Sequence, residues 1–382
     1  ELGGSTIYQN REFNKIENQS SSDWLKKEIK ELKNIKNLEI KTRTSVAAFH
    51  GYNYLLAREN LTDHLEKKDK QGKIRQRLLK IRAKKVILAT GALERPLIFN
   101  NNDRPGIMLS SAVKKYADFY GVVSGKKNVF FTNNDSAYES AFCLHNKGIN
   151  VEAIIDIRES SNSKIVKAVE EAGIKIHWSH TIVDTSGYKR LNGISAMKLS
   201  NDGLSVTGNK INISCDCLGV AGGWTPAVHL FTQSGGKLKF DENDKIFLPN
   251  KYPSEQLSVG SCNGDFKLKE IINNLSTNLK QFLKVNETDF DNILIEGEEE
   301  NSKRNIWLLP SDKPIGKTKP FVDYQNDATA KDIKLALREG FRSIEHVKRY
   351  TTTGMGTDQG KLGNMHALGI IADTAGVKMA EL

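Results

Sequence analysis

The chain has 382 residues, 38% of them hydrophobic and 27% charged, which is a globular composition spread over more than one domain. Its apolar runs fall far short of the roughly 20 residues of a membrane helix, and its four cysteines are too few for a disulfide framework, so we expect a cytoplasmic protein. Lys and Arg outnumber Asp and Glu by 56 to 46, and the net charge of +10 is spread over segments such as 26–36 and 67–85. This spread favours solvated faces over a patch for an anionic partner, and we expect neither a nucleic-acid nor a membrane partner.

The first ninety residues combine one helix with several short strands. Residues 23–36 carry apolar side chains at helical spacing, which predicts a helix with Asp23 at its N-cap. A strand at 84–88 runs directly into Ala89-Thr90-Gly91, and small residues in that place are typical of an α/β sheet beside a nucleotide. Earlier strands are predicted over 38–41, 46–50, 53–57 and 76–81.

From residue 126 the pattern changes to a second nucleotide-type unit. Strands and helices alternate, which predicts a parallel βαβ sheet built from 128–132, 136–147, 151–156, 165–172 and 174–178. Antiparallel strands are predicted over 191–199 and 210–221, after which Gly222-Gly223-Trp224 returns the chain to the first domain. We therefore predict a first nucleotide-binding domain over 1–125 and 246–285, interrupted by a Rossmann-like domain over 126–245.

The last hundred residues predict a connector and a small helical domain. Residues 286–319 are acidic and then punctuated by Lys and Pro, as in a connector. Residues 320–382 contain a predicted helix pair at 329–350, a glycine-rich loop at 354–363 and a final helix at 364–374.

The second nucleotide unit lacks the glycines that a dinucleotide needs. Its turn reads Thr132-Asn133-Asn134-Asp135-Ser136, with no GxGxxG, and Asp135 places negative charge where a phosphate would lie. Asp156 stands at the usual position of the ribose-binding acid. We interpret this half as structural, with a modified ligand site as the alternative.

The first unit instead has three glycine-bearing turns. They are Gly3-Gly4-Ser5, Ala89-Thr90-Gly91 and Val259–Gly264, and their order around an inserted βαβ unit matches flavoprotein reductases. The phosphate loop and ribose acid of such proteins would precede Glu1, so we expect the sequence to be a segment of a longer chain. Gly91 is a candidate nucleotide contact on this turn argument alone.

The sequence offers no convincing metal site or catalytic dyad. Cys215 and Cys217 form a lone CxC, which is poor metal spacing and favours packing. No carboxylate partner can be assigned to His177 or His180. We therefore name no catalytic and no metal-binding residue.

The segment 321–363 resembles the small [2Fe–2S] domain of bacterioferritin-associated ferredoxins. The four cysteine positions of that domain would fall on Asp323, Gln325, Asp358 and Gly363. None of these can supply a thiolate, so we expect the domain without an iron–sulfur cluster.

The chain as a whole resembles the alpha subunits of heterotetrameric sarcosine oxidases. The segments that carry the resemblance are ATGALERP at 89–96, NNDRPGIM at 101–108, TNNDSAY at 132–138, 222–229, QSGGKL at 233–238 and 321–360. Related alpha subunits of amino-acid and opine dehydrogenases share parts of this pattern. The resemblance implies an α/β, two-dinucleotide-binding-domain flavoprotein fold with an inserted degenerate βαβ domain, followed by a cluster-less helical domain of sarcosine oxidase A3 type.

The resemblance also implies cofactors, partners and a reaction. NAD is held in the alpha subunit, FAD and FMN mainly through the beta subunit, and gamma and delta subunits complete the complex. Sarcosine is demethylated oxidatively to glycine, O2 is reduced to H2O2, and tetrahydrofolate takes the one-carbon unit in a C-terminal domain absent from this sequence. By position Ser5, Val46, Ser261 and Phe266 match NAD-contacting places. The alternatives are a related dehydrogenase alpha subunit, a free-standing NAD(P)H-dependent flavoprotein and a scaffold without nucleotide.

Overall fold

A computed structural model describes residues 2–8, 15–288, 290–296 and 303–382. The chain divides into two compact units, each made of two segments. The first unit comprises residues 1–92 and 225–297, and the second comprises residues 93–224 and 298–382.

The described residues form α-helices, single strands and runs of consecutive strands. The helices are α1 (Ser21–Leu32), α2 (Lys67–Lys70), α3 (Ser110–Asp118), α4 (Ser136–Asn146), α5 (Lys164–Glu171), α6 (His229–Gln233), α7 (Leu268–Leu283), α8 (Ala330–Arg338), α9 (Ile344–Thr351) and α10 (Asn364–Ala375). The strands up to the middle of the chain are β1 (Lys15–Ile16), β2 (Gln19–Ser20), β3 (Thr44–His50), β4 (Tyr54–Asn60), β5 (Gln76–Arg82), β6 (Val86–Leu88), β7 (Ala92–Glu94), β8 (Ile107–Leu109), β9 (Asn128–Thr132), β10 (Val151–Asp156) and β11 (Ile176–His177). The remaining strands are β12 (His180–Ser186), β13 (Gly193–Leu199), β14 (Val206–Ile213), β15 (Cys217–Ala221), β16 (Trp224–Pro226), β17 (Lys237–Asp241), β18 (Ile246–Lys251), β19 (Gln256–Ser258), β20 (Ile295–Glu296), β21 (Phe321–Asp323) and β22 (Ala328–Thr329).

The first unit is built from small sheets around a short parallel strand pair. Strands β3, β4 and β5 form an antiparallel meander, and β17 pairs with β18 in a hairpin. Strand β6 pairs in parallel with β19, although the two are 170 residues apart in the chain. Apolar side chains from the meander, β6 and α6 form its core: Phe49, Leu55, Val86, Leu88 and Phe231.

The second unit contains a five-stranded parallel sheet in the order β11-β10-β9-β15-β8. Strand β9 is buried along its whole length, as expected for a central parallel strand covered on both faces. Strands β12, β13 and β14 add an antiparallel sheet. Helices α8 and α10 pack against each other in the same unit, and α8 begins with a capping box between Thr329 and Asp332.

The fold class is confirmed, but the domain borders lie elsewhere than predicted. Strand β8 pairs with β15, so the segment after residue 93 belongs to the second unit and not to a first domain ending at 125. The predicted border at 245/246 falls within the β17–β18 hairpin of the first unit. Asn102 exchanges two hydrogen bonds with the backbone of Phe321, so the helical segment packs inside the second unit.

Three local predictions also need correction. No strand forms at 38–41, and α1 is capped by Ser20, whose hydroxyl accepts from the Asp23 N–H at 3.2 Å. Strand β15, expected to be antiparallel, is a parallel strand of the central sheet. The predicted connector 286–319 includes residues 289 and 297–302, which lie outside the described residues. Within the described ranges no helix is long and apolar enough to cross a membrane.

Candidate functional site

In the first unit, two glycine-bearing turns meet at one sheet edge. Strands β6 and β19 run in parallel, so the turn Ala89–Gly91 and the 3₁₀ turn Gly260–Asn263 both leave from their carboxyl ends. The Val259 N–H donates to the Leu88 carbonyl at 2.9 Å, and the Cys262 thiol lies 3.2 Å from the same oxygen. Ligands of open α/β sheets bind outside the carboxyl ends of parallel strands, so this edge is the candidate nucleotide site.

Glycine is required by the backbone of these turns. Gly91 and Gly260 have φ values of +72° and +68°, a left-handed conformation that glycine adopts without strain. The Gly91 turn is held from both sides, since Thr90 Oγ1 donates to the Ala227 carbonyl at 2.7 Å and the Ala227 N–H donates to the Gly91 carbonyl at 2.9 Å. No atom lies within 4 Å of where a Cβ of residue 91 would stand. The turn is therefore fixed and open on one side, as a close approach by a ligand requires.

The structure places two of the five candidate residues, Gly91 and Ser261, on neighbouring turns. Gly91 and Ser261 lie on the two adjacent turns, and Phe266 follows the second turn, with α7 beginning two residues later. Val46 lies on the β3 meander strand and is 40% exposed. Ser5 lies in the 3₁₀ turn Gly4–Tyr8, and its side chain is not among those described.

Helix α7 is the feature of this site that the sequence interpretation missed. Its 16 residues begin at Leu268, shortly after the turn Gly260–Asn263, and its N-cap Lys267 provides no side-chain cap. The first N–H groups of such a helix favour a nearby anion. The apolar spacing of Leu268, Ile272 and Leu275 carried the signal for it.

In the second unit, side chains occupy the equivalent nucleotide position. The Arg158 guanidinium contacts Asp156 at 2.7 Å and Asp135 at 2.8 Å, and their side chains are only 3%, 0% and 9% exposed. The Asn134 N–H donates to Thr132 Oγ1 at 3.0 Å, which closes the turn. A phosphate would have to displace Asp135, and a ribose would have to displace the Arg158 guanidinium from Asp156.

Aromatic rings complete this buried cluster. The Tyr138 hydroxyl donates to Asp156 at 2.8 Å, and the Tyr138 ring stacks on Trp178 with centroids 5.9 Å apart. Burial, together with the charge of Asp156, raises the pKa of the Tyr138 hydroxyl, which therefore remains the donor. We call Asp135, Tyr138, Asp156, Arg158 and Trp178 the Arg158 cluster.

The cysteine and histidine motifs form no metal site among the described residues. Cys215 and Cys217 are buried, and burial raises the pKa of each thiol to about 12, which makes both unreactive. The His180 Nδ1 lies 2.6 Å from the Trp178 carbonyl, and its ring contacts that of His177.

Side-chain oxygen atoms stand at three of the four ferredoxin positions, and the fourth is Gly363. The Asp323 carboxylate accepts from the N–H groups of Gln325, Asn326 and Gly354 at 2.7–3.0 Å. Gln325 Oε1 accepts from the Thr357 N–H at 2.6 Å, and Asp358 Oδ1 accepts from the Gly360 N–H at 3.1 Å.

These positions do not fit a cluster. A Cβ at Gly363 would lie 2.4 Å from the Val322 carbonyl oxygen, so a cysteine there would collide with the backbone. Burial alone would raise the pKa of Asp323, but the N–H groups that point at its carboxylate hold that pKa below its ordinary value. The carboxylate is therefore ionised at neutral pH. It accepts hydrogen bonds from backbone N–H groups in the segment that resembles the ferredoxin domain.

Glu94 is a buried carboxyl group that supports helix α3. Its Oε2 accepts from the Ser111 N–H at 2.8 Å and from the Ser111 hydroxyl at 2.6 Å, whereas Oε1 has no hydrogen-bond partner within the described ranges. Burial raises the pKa of Glu94 from 4.5 to about 7.

This pKa predicts a pH-dependent stability. Between pH 4.5 and 7 the folded protein holds a proton that the unfolded chain has released, so stability falls as pH rises through that window. We expect Glu94→Gln to remove this loss, on the order of 3 kcal/mol across the window, in urea unfolding measured at pH 5 and pH 8. Glu345 is exposed, so Glu345→Gln is the control and should leave the pH dependence of the free energy of unfolding unchanged. An unaltered pH dependence of stability in Glu94→Gln would contradict the raised pKa of Glu94.

Comparisons with known proteins identify relatives of this chain. Residues 317–382 match the sarcosine oxidase A3 domain family. The chain is 34% identical to sarcosine oxidase subunit alpha of Corynebacterium sp. (strain P-1) over 99% of its own length and 39% of that subunit. It is 33% identical to sarcosine oxidase subunit alpha of Rhizobium meliloti (strain 1021) over 96% of its length and 36% of that subunit. The chain thus spans less than half the length of these relatives.

A solved structure that matches along the whole chain shows the same fold. L-proline dehydrogenase from P. horikoshii superposes with a TM-score of 0.68 at 20% identity, covering 100% of this chain and 69% of the other. At this identity the match shows the shared fold.

Proposed function

We propose that the chain is the nucleotide-binding part of a sarcosine oxidase alpha subunit, because its sequence is similar to those of such subunits. In this proposal NAD binds in the first unit, with contacts from Ser5, Val46, Gly91, Ser261 and Phe266. The complex carries FAD and FMN mainly through its beta subunit, and gamma and delta subunits complete it. It demethylates sarcosine to glycine, reduces O2 to H2O2 and passes the one-carbon unit to tetrahydrofolate.

The pair of turns at the β6–β19 edge carries the nucleotide part of the proposal. Gly91 and Gly260 keep the backbone accessible at the carboxyl ends of two adjacent parallel strands. The N-terminus of α7 follows shortly afterwards and adds N–H groups that favour an anion. In the second unit, the Arg158 cluster occupies the corresponding place. One dinucleotide for this chain is the stoichiometry that these two observations support.

The chain's own residues are proposed to bind and orient, not to transfer hydride. Bound NAD would supply a pyrophosphate and a nicotinamide ring that can exchange hydride. The backbone at Gly91 and Ser261 would lie against the phosphates and ribose, and the Phe266 ring would offer an apolar surface. The hydrogen bonds between Thr90, Gly91 and Ala227 hold the first turn in place before a ligand arrives.

The direct test is co-purification of the complete gene product with its other subunits. We expect one NAD per alpha subunit after denaturation, identified by mass spectrometry, with flavin and H2O2 formation in the assembled complex. A complex that releases no dinucleotide from this chain would overturn the nucleotide assignment.

A glycine substitution tests the site itself. Gly91→Val places a branched side chain where no atom now lies within 4 Å, so we expect NAD content to fall about tenfold or more. Gly72→Val is a matched control, because Gly72 has the same φ of +72° and equally open space in an exposed turn of the same unit. Both variants bear the same backbone strain. Equal NAD content in the two would place the nucleotide elsewhere.

A further inference from the structure

An exposed aromatic surface lies at the C-terminal end of helix α3 in the second unit. Tyr116, Phe119, Tyr120, Val122 and Val123 are 43–56% exposed and lie within eight consecutive residues. The Tyr120 ring lies 5.9 Å from that of Tyr116 and 5.0 Å from that of Phe119, so the rings form one contiguous patch. We call these five residues the aromatic surface. Contiguous exposed apolar patches of this kind mark interaction sites, whereas single exposed apolar residues do not.

The aromatic surface lies at the opposite end of the sheet from a nucleotide. It ends four residues before Lys127, whose N–H donates to Asp216 Oδ1 at 2.8 Å and whose carbonyl accepts from the Cys217 N–H. These contacts place the segment at the amino ends of β9 and β15. Nucleotides bind at the carboxyl ends of such strands, so the aromatic surface lies away from the nucleotide position of this sheet.

Positive charge borders the aromatic surface. Lys126 and Lys127 are exposed directly after it, and the Lys115 ammonium lies 5.8 Å from the Phe119 ring centroid. One nearby acid, Asp118, pairs with Lys147 at 2.9 Å. A partner that covers the rings would therefore meet lysines at its edge, and carboxylates on that partner would complement them.

We propose that the aromatic surface binds another subunit of the complex, through an apolar centre with an acidic rim on that subunit. This rests on the proposed function, which supplies the partner subunits. Three half-exposed rings and two valines present roughly 400–500 Å², about half of the ~800 Å² that one partner contributes to a standard interface. Tyrosines at the centre of such a patch carry much of the binding free energy.

The test uses the complete gene product co-expressed with its other subunits. We expect Phe119→Ser with Tyr120→Ser to raise the dissociation constant of one subunit about 100-fold or more, measured by mass photometry on dilution. NAD content should remain that of the wild type. Tyr188→Ser is the matched control, because Tyr188 is 94% exposed in the same unit and lies outside the patch.

A second variant keeps the test decisive if the serine variant unfolds. Lys126→Glu with Lys127→Glu changes only exposed charges and should slow association and reduce its salt dependence. Wild-type affinity in both double variants would overturn this proposal and leave the proposed function standing. Self-association of the wild-type chain alone, abolished by the serines, would overturn it in favour of a second copy. A wild-type chain that assembles with no subunit would overturn both proposals.

Discussion

Replacing Arg158 by leucine is expected to lower the free energy of unfolding of the second unit by about 3–5 kcal/mol. Arg158 is the shared partner of Asp156 and Asp135, and Asp156 has no exposed side-chain surface. Without the guanidinium, Asp156 keeps the Tyr138 hydroxyl but loses its counter-charge in a site that water does not reach. Urea unfolding followed by Trp178 fluorescence measures the loss, because the Trp178 ring lies in the same cluster.

Two further variants separate the lost ion pair from a general loss of packing. Arg190→Leu removes an exposed arginine that lies 3.7 Å from Asp216, and we expect a change below about 1 kcal/mol. Adding Asp135→Asn and Asp156→Asn to Arg158→Leu should restore part of the stability, since no uncompensated charge then remains. Equal effects of Arg158→Leu and Arg190→Leu would show that the cluster does not stabilise the fold.

Replacing Asp323 by alanine is expected to lower the free energy of unfolding by about 3 kcal/mol or more. The change leaves the N–H groups of Gln325, Asn326 and Gly354 without the acceptor that now joins β21 to the loop after α9. Asp323→Asn keeps one acceptor oxygen and should lose less. Glu339→Ala, at an exposed position that ends α8, should change stability by less than about 0.5 kcal/mol.

The charge of Asp323 also predicts that the stability of the fold decreases at low pH, and that Asp323→Ala removes this decrease. Its pKa is lower in the folded protein than in the unfolded chain, so its contribution is complete above about pH 4 and declines as pH falls through the folded pKa. Thermal unfolding of the wild type and of Asp323→Ala between pH 2 and pH 6 measures the difference. Parallel curves for the two proteins would contradict an ionised, hydrogen-bonded Asp323.

The alternation of buried strands and helices in the sequence predicted the central strands of the second unit. Strand β9 spans the predicted residues 128–132, and β10 spans the predicted 151–156, because continuous apolar runs bounded by turns have few other interpretations. The stretch 38–41 failed as a strand because four residues without a pairing partner gain no ladder hydrogen bonds. Helix α3 was missed because five of its nine residues are Ser, Lys or Asp, which obscure the helical spacing of the buried Val113 and Ala117.

The sequence identified only some of the residues that occupy the nucleotide position of the second unit and the four ferredoxin positions. The position of Asp135 predicted that a phosphate would be opposed, and the absence of cysteines at the four ferredoxin positions predicted a domain without a cluster. What replaces each ligand could not be predicted, since Arg158 reaches Asp135 across 23 positions and Gly354 reaches Asp323 across 31. Contacts between residues so far apart in the chain depend on the paths of the loops, and these paths produce no periodic pattern in the sequence.

The sequence alone determined the fold class, the family resemblance and the loss of glycines and cysteines at two sites, because these follow from residue type and local spacing. Tertiary structure alone decided the domain borders, the meeting of the Gly91 and Gly260 turns, and the partners of Asp156 and Asp323. Strand β6 pairs with β19 across 170 residues, and β8 joins the sheet through β15. The physical reason is that pairing between distant parallel strands depends on how the whole chain packs, and neighbouring residues carry no record of it.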